Sequence, residues 1–137
     1  MRILNRDTDL ATRALCYLAQ QQDKPISVAH LEDVLIAPRP FLRKILQVLQ
    51  TQGFLKSFKG KKGGFILNKT ADTIYIKDLI VAFHGPINTN ECVFNKKTCP
   101  DIGSCLLKGK IERIKSYVSN ELKSVTIASL IPQSKGE

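Results

Sequence analysis

No apolar run in this 137-residue chain approaches the roughly 18 residues of a membrane-spanning helix. The segment Met1-Arg2-Ile3-Leu4-Asn5-Arg6-Asp7 likewise lacks the apolar core of a signal peptide. No membrane partner is expected, and the cytoplasm is the expected compartment. Internal repeats and low-complexity segments are also missing, which leaves one compact domain with at most an extension. Acidic residues are scarce, 12 against 21 Lys and Arg, and the formal net charge of +9 favours a polyanionic partner such as nucleic acid. The charge alone would suit an anionic membrane surface equally well. There is no phosphate loop or cofactor fingerprint, and no cysteine has a histidine beside it in sequence. An enzyme, or a redox or iron-sulfur-handling protein with catalytic cysteines, therefore has little support, and no catalytic residue is assigned.

With 43% hydrophobic residues the chain can build a core, and its most informative stretch runs from Ile26 to Leu67. Ser27 is placed to cap a helix, with Ile26 and Leu31 as a hydrophobic staple and Leu31, Val34 and Leu35 on one apolar face. A break at residues 36–38 follows. Pro38 and Pro40 are tolerated only before a helix or in its first turn, so a second helix is expected to begin near Pro40. Leu42, Ile45, Leu46 and Leu49 recur at helical spacing until Gly53 stops the run. The opposite side carries Arg39, Arg43 and Gln47 in one row, and Arg and Gln have the forked donors that suit guanine and adenine edges. Any amphipathic helix needs a polar face, so this row alone does not decide the function. Phe54 to Phe58 and Phe65 to Leu67 then read as a hairpin around Lys59-Gly60-Lys61-Lys62-Gly63-Gly64. Glycines allow a tight turn and a close phosphate, while lysines supply attraction to the backbone, so the hairpin reads as a basic wing.

Around this helix-turn-helix, Thr8 or Asp9 is expected to cap a first helix reaching about Gln22, with Leu10, Ala14, Leu15 and Leu18 inward and Cys16 as a small buried hydrophobe. Residues 68–73 are a polar connection. Ile76, Leu79, Ile80 and Phe83 predict a short helix ending at Gly85 and Pro86, with His84 a surface group in its last turn. Leu107, Ile111, Ile114, Val118, Leu122 and Val125 are spaced close to a coiled-coil seam, with Lys108, Lys110, Arg113 and Lys115 outside. Such a helix has little to bury its seam against in so small a chain, so a homodimer through Leu107, Ile111, Ile114, Val118 and Leu122 is expected. Residues 124–131 are a last short element.

Between the two parts lies a polar loop carrying Cys92, Cys99 and Cys105, separated by six and five residues. In a reducing compartment these argue against a disulfide framework. The spacing is wide for structural zinc, and thiolates on a long loop suit an iron-sulfur cluster better. A cluster wants a fourth ligand, and by chemistry alone Cys16, His84, Asp9, Glu91 and Asp101 are all candidates. Three reduced thiols, or a reversible disulfide, remain the alternative.

Thr8-Asp9-Leu10-Ala11, Phe41-Leu42-Arg43-Lys44-Ile45-Leu46, the wing Ser57 to Phe65 and the cysteine triplet together make the chain resemble the Rrf-type (IscR- and NsrR-like) bacterial winged-helix transcription regulators. The resemblance spans nearly the full length. It implies a mostly α fold with a small β-hairpin, namely a winged helix-turn-helix domain plus a long C-terminal dimerisation helix. The expected divisions are residues 1–85 for DNA binding, 86–105 for the cysteine-rich cluster loop, 106–131 for dimerisation and 132–137 for a tail. It further implies a homodimer on double-stranded DNA with a pseudo-palindromic operator. The expected DNA-facing set is Ser27, Arg39, Pro40, Arg43, Lys44, Gln47, Lys59, Gly60, Lys61 and Lys62. The expected cofactor is an iron-sulfur cluster, 2Fe-2S or 4Fe-4S, held by Cys92, Cys99 and Cys105.

In the nitric-oxide-sensing branch an aspartate from the partner subunit completes the ligand set, and Asp9 matches its place; helix capping is the competing role for that residue. The histidine that does this in the other branch is replaced here by Lys108, the gap after Cys92 is one residue longer than usual, and Lys59 replaces a common arginine. The implied function is a transcription regulator, most simply a repressor, that senses nitric oxide, redox state or iron supply. A clusterless regulator of the same fold that senses thiols or a partner protein is the alternative.

Overall fold

The computed structural model describes residues 5–21, 24–84 and 106–132. Cys92, Cys99 and Cys105, with Glu91 and Asp101, lie outside the described residues. The described elements are α1 (Arg6–Ala19), α2 (Val28–Leu35), α3 (Arg39–Thr51), β1 (Leu55–Phe58), β2 (Gly64–Leu67), α4 (Ile76–His84), α5 (Leu106–Lys123) and α6 (Ile127–Leu130), with a 3-10 turn at Ala71–Thr73.

The start of α1 differs from the expectation. Neither Thr8 nor Asp9 caps it; the side chain of Asn5 accepts the Thr8 N–H at 3.1 Å. Thr8 is fully buried inside the first turn, where its hydroxyl donates to the same Asn5 oxygen at 3.3 Å. Asn is as good a cap as Ser or Asp, and its position three residues before Thr8 satisfies an amide that would otherwise be orphaned. The helix ends at Ala19 with Gln20 as its C-cap, short of Gln22.

In α2 the side chain of Ser27 accepts the His30 N–H at 3.1 Å, and Leu31 is fully buried as the staple requires. Val34 does not join the inward face and is 42% exposed, because eight residues make little more than two turns and Leu31 already fills the contact. Ile36 then closes the helix in a left-handed conformation, φ 51° and ψ 54°. Pro38 is the N-cap of α3 and Pro40 lies in its first turn, so the helix starts at Arg39, one residue earlier than expected. Leu42, Ile45, Leu46 and Leu49 are buried as the spacing requires. Gly53 at φ 86° ends α3, with its N–H on Gln50 C=O at 3.0 Å and the Phe54 N–H on Leu49 C=O at 2.9 Å. This double bond pattern is a Schellman cap. It draws Phe54 out of the strand and into the core, where it is 5% exposed.

β1 and β2 are antiparallel, with Leu55 opposite Leu67 and Phe58 opposite Gly64. A third stretch of backbone joins them: Ile26 and Phe65 exchange both hydrogen bonds, at 3.0 and 2.9 Å. Two wing glycines owe their place to this packing. A Cβ at Gly64 would lie 2.3 Å from the Ile26 carbonyl oxygen, and one at Gly63 would lie 2.2 Å from that of Phe58.

One core unites the described elements. Leu10, Ala11, Leu15 and Leu18 of α1 meet Leu31, the α3 row, Ile76, Leu79 and Ile80 of α4, and Ile127 of α6. Ile74, directly after the polar connection of residues 68–73, is fully buried, and its C=O accepts the Ile127 N–H at 2.9 Å. The Ile76 N–H likewise donates to Val125 C=O at 3.0 Å. Val125 therefore lies past the end of α5 and not in its seam.

α5 itself corrects a second expectation. Lys115 is buried at 6% exposure, and Lys108, Val118 and Leu122 are half-buried on the same side. Leu107 and Ile114 stand outward, 69% and 51% exposed, beside Tyr117. The predicted seam is thus split. Its C-terminal end packs on the protomer through Leu122, while Leu107 and Ile114 find no cover within the described chain. A straight helix drifts about 20° per heptad from a 3.5-residue repeat, so a long apolar stripe cannot hold one face toward a single neighbour.

Candidate nucleic-acid interface and sensor residues

Amphipathicity places the basic row. Burial of Leu42, Ile45, Leu46 and Leu49 turns Arg39, Pro40, Arg43, Lys44 and Gln47 to the exterior, and all five are exposed. Arg43, Lys44 and Gln47 thus face solvent from a helix whose other side is fixed in the core. Arg39 is engaged: its Nε donates to Oε2 of Glu32 on α2 in a short ion pair.

The wing is fastened to α3 directly and to the start of α2. Gln50 Nε2 on α3 donates to Ser57 Oγ on β1 at 2.8 Å, and the Ile26–Phe65 bridge ties β2 to the residue before the α2 cap. Lys59, Gly60, Lys61 and Lys62 are exposed at the tip, and Ser27 is exposed at the start of α2. The hydroxyl of Ser27 is occupied with the α2 cap, so its side chain already has one duty in the fold. The structure therefore holds a basic helix face and a basic hairpin in a fixed mutual placement. Arg6 adds a cation the sequence reading did not single out, its guanidinium 5.4 Å from the ring centroid of Phe41 on α3. Nothing in the local sequence pairs Arg6 with Phe41; only the packing of α1 on α3 does.

Of the candidates for a fourth cluster ligand, three lie among the described residues. Asp9 is on the exposed side of α1, its carboxylate 3.1 Å from Arg13 Nε and 55% exposed. His84 uses both ring nitrogens: Nε2 lies 3.1 Å from Thr8 Oγ1 and Nδ1 lies 3.4 Å from Asn5 Nδ2. Cys16 is half-buried against the core, and burial pushes its thiol pKa up, away from the thiolate that a metal requires. By donor chemistry the thiolates of Cys92, Cys99 and Cys105 with an accessible carboxylate would fit an iron-sulfur cluster, and among the described candidates Asp9 is the exposed carboxylate. His30, the other histidine, is paired with the Tyr17 hydroxyl at 2.6 Å. Among the described residues no helix is long and apolar enough to cross a membrane.

A family model described as an iron-dependent transcriptional regulator, Rrf2, matches residues 4–133. A protein of Aquifex aeolicus (strain VF5), assigned as an HTH-type transcriptional regulator, is 35% identical over 120 residues, 86% of this chain and 83% of that one. Among solved structures, the fold is similar to CymR (YrzC), the global cysteine regulator of B. subtilis, at TM-score 0.76 and 22% identity over 96% of this chain and 98% of that one. It is also similar to T. potens IscR, at TM-score 0.74 and 23% identity over 93% and 84%. The oxidised form of Staphylococcus aureus CymR matches at TM-score 0.77 and 20% identity over 98% and 99%. At these identities the structural likeness speaks for the fold.

Proposed function

The chain belongs to the Rrf2 family of transcriptional regulators, and from that premise we propose that it regulates transcription as a homodimer bound to a pseudo-palindromic operator, most simply as a repressor. The observation that carries this is the basic face of α3 set beside the basic wing. Arg39, Arg43, Lys44 and Gln47 meet base edges and phosphates in the major groove, and Lys59, Lys61 and Lys62, with the backbone of Gly60, meet the flanking phosphates. Ser27 and Pro40 line the approach. Two copies are required, because one recognition helix spans only a few base pairs and pseudo-palindromic half-sites mirror a two-fold axis. Leu107, Ile114 and Tyr117 on α5, exposed and without cover among the described residues, support that assembly, and Ile111, Val118 and Leu122 continue the stripe toward the protomer's own core.

The signal is read by Cys92, Cys99 and Cys105, which would hold an iron-sulfur cluster with Asp9 of the partner subunit. A bound cluster supplies a redox- and nitric-oxide-reactive centre whose gain or loss differs between two states of the protein. Asp9 suits the role because its removal leaves the Asn5 cap of α1 intact. The chain itself contributes the coupling. His84, the last residue of α4, contacts both Thr8 and the Asn5 cap, so the exit toward the cysteine segment is joined to the helix that carries Asp9.

A second reading is a thiol-responsive regulator without a cluster. It is supported by the engaged state of His84 and the burial of Cys16, which leave Asp9, an ion-paired carboxylate, as the remaining candidate among the described residues. Anaerobic purification separates the two. The first reading predicts brown protein with iron and sulfide in stoichiometric amounts, lost on Cys92→Ala, Cys99→Ala or Cys105→Ala and retained in Cys16→Ala. Colourless protein that binds its operator and responds to oxidants through the same cysteines would establish the second.

A further inference from the structure

Glu32 and Arg39 lie on different helices, seven residues apart, and the turn Ile36-Ala37-Pro38 brings them together in an ion pair. Arg39 is the first residue of α3, and that end of the helix has neither an acidic residue in its first turn nor a side-chain cap. The positive end of the helix dipole disfavours a guanidinium there. The Glu32 carboxylate offsets this, and its side chain is one-third exposed while that of Arg39 is about half exposed, 33% and 48%. A guanidinium has donors on two edges. Glu32 takes the Nε edge, and neither Nη group donates a hydrogen bond within the described residues.

We propose that Glu32 is a positioning residue for sequence discrimination: it clamps Arg39 by Nε so that the paired Nη donors are presented in one orientation to a base edge. The inference rests on the reading of α3 as the recognition helix. An unclamped arginine has many rotamers and finds phosphates in any sequence. A clamped one loses less freedom when it meets the fork of acceptors on guanine, and matches fewer alternatives. Surface ion pairs contribute little to stability, so a fold-keeping role does not explain the contact well. The sign of the effect is also decisive. Removing a carboxylate beside a DNA-facing surface should by itself tighten binding to every duplex. A positioning role instead makes specific binding weaker while non-specific binding holds or tightens.

The test uses the full chain. The wild type selects duplexes from a random pool, and affinities are measured by fluorescence anisotropy for one selected 30-base-pair duplex and its scrambled counterpart at one salt concentration. Glu32→Gln should lower the selected-to-scrambled ratio about tenfold, in the range expected for residues coupled through one base contact. Scrambled binding should be equal or tighter, and the melting temperature lower by a few degrees at most. Glu32→Asp, which keeps the charge but withdraws it by one methylene, should lower the ratio too. In an Arg39→Ala background, Glu32→Gln should leave the ratio where Arg39→Ala put it. The inference is overturned if both affinities rise by the same factor, if Glu32→Asp retains the wild-type ratio, or if Glu32→Gln acts equally with and without Arg39. A wild type that enriches no sequence would overturn the recognition-helix reading, and the inference with it.

Discussion

Ile36 offers a quantitative check on the turn that sets α3 against α2. It is a β-branched residue at φ 51° and ψ 54°, and 89% exposed. The left-handed conformation costs an L-residue with a Cβ about 1–2 kcal/mol, and branching places Ile toward the upper end. Little burial offsets it: with so much of the side chain in water, truncation loses at most a few tenths of a kcal/mol. Ile36→Gly removes the strain but adds about 0.5–1 kcal/mol of chain entropy to the unfolded state. The net is a stabilisation of about 0.5–1 kcal/mol, or roughly 2–5 °C in Tm for a domain of this size. Ile36→Asn should gain a similar amount, since Asn visits this region readily and carries a smaller entropic penalty than Gly. Scanning calorimetry at several protein concentrations, to hold any dimer equilibrium in view, reads the shift. Operator affinity should be unchanged, because the turn geometry is kept. A Tm that falls in both variants would refute the left-handed turn and the helix placement derived from it.

Other expectations bear on the interface and assembly. If about six to ten phosphates are neutralised by Arg39, Arg43, Lys59, Lys61 and Lys62 in two copies, affinity for duplex DNA should fall roughly 10³- to 10⁵-fold between 50 and 200 mM salt; a flat titration would contradict phosphate contact by these residues. Arg43→Ala should weaken operator binding with its melting curve intact, whereas fully buried Leu46→Ala should lose about 2–5 kcal/mol of stability by denaturant unfolding. Ile114→Asp should leave a folded protomer, since the residue is 51% exposed there, yet sediment as a monomer; an unaltered dimer would move the interface elsewhere. Asp9→Ala and Asp9→Asn should both keep α1 capped, so the colour of anaerobic protein reports ligation alone, and retention in both variants would exclude Asp9 as the ligand.

Local chemistry determined much of this protein from its sequence. The Ser27 cap, the buried row Leu42, Ile45, Leu46 and Leu49, the Gly53 stop and the hairpin were legible because capping, helical period and turn formation depend on residues a few positions apart. The basic row on α3 followed from the same period, as the complement of its apolar face. What tertiary structure alone decided involves partners far apart in the chain. His84 reaches both Thr8 and the Asn5 cap, from which it is 79 residues away, and so joins the end of α4 to the start of α1. Gly64 read as a phosphate-approach residue, yet backbone from the distant Ile26 fills the space a Cβ would need. The stripe on α5 has a regular spacing, but which of its residues face the protomer depends on where α4 and the core lie, and that buried Lys115 while leaving Ile114 outside. Periodicity specifies that a face exists; only the packing of distant elements decides what covers it.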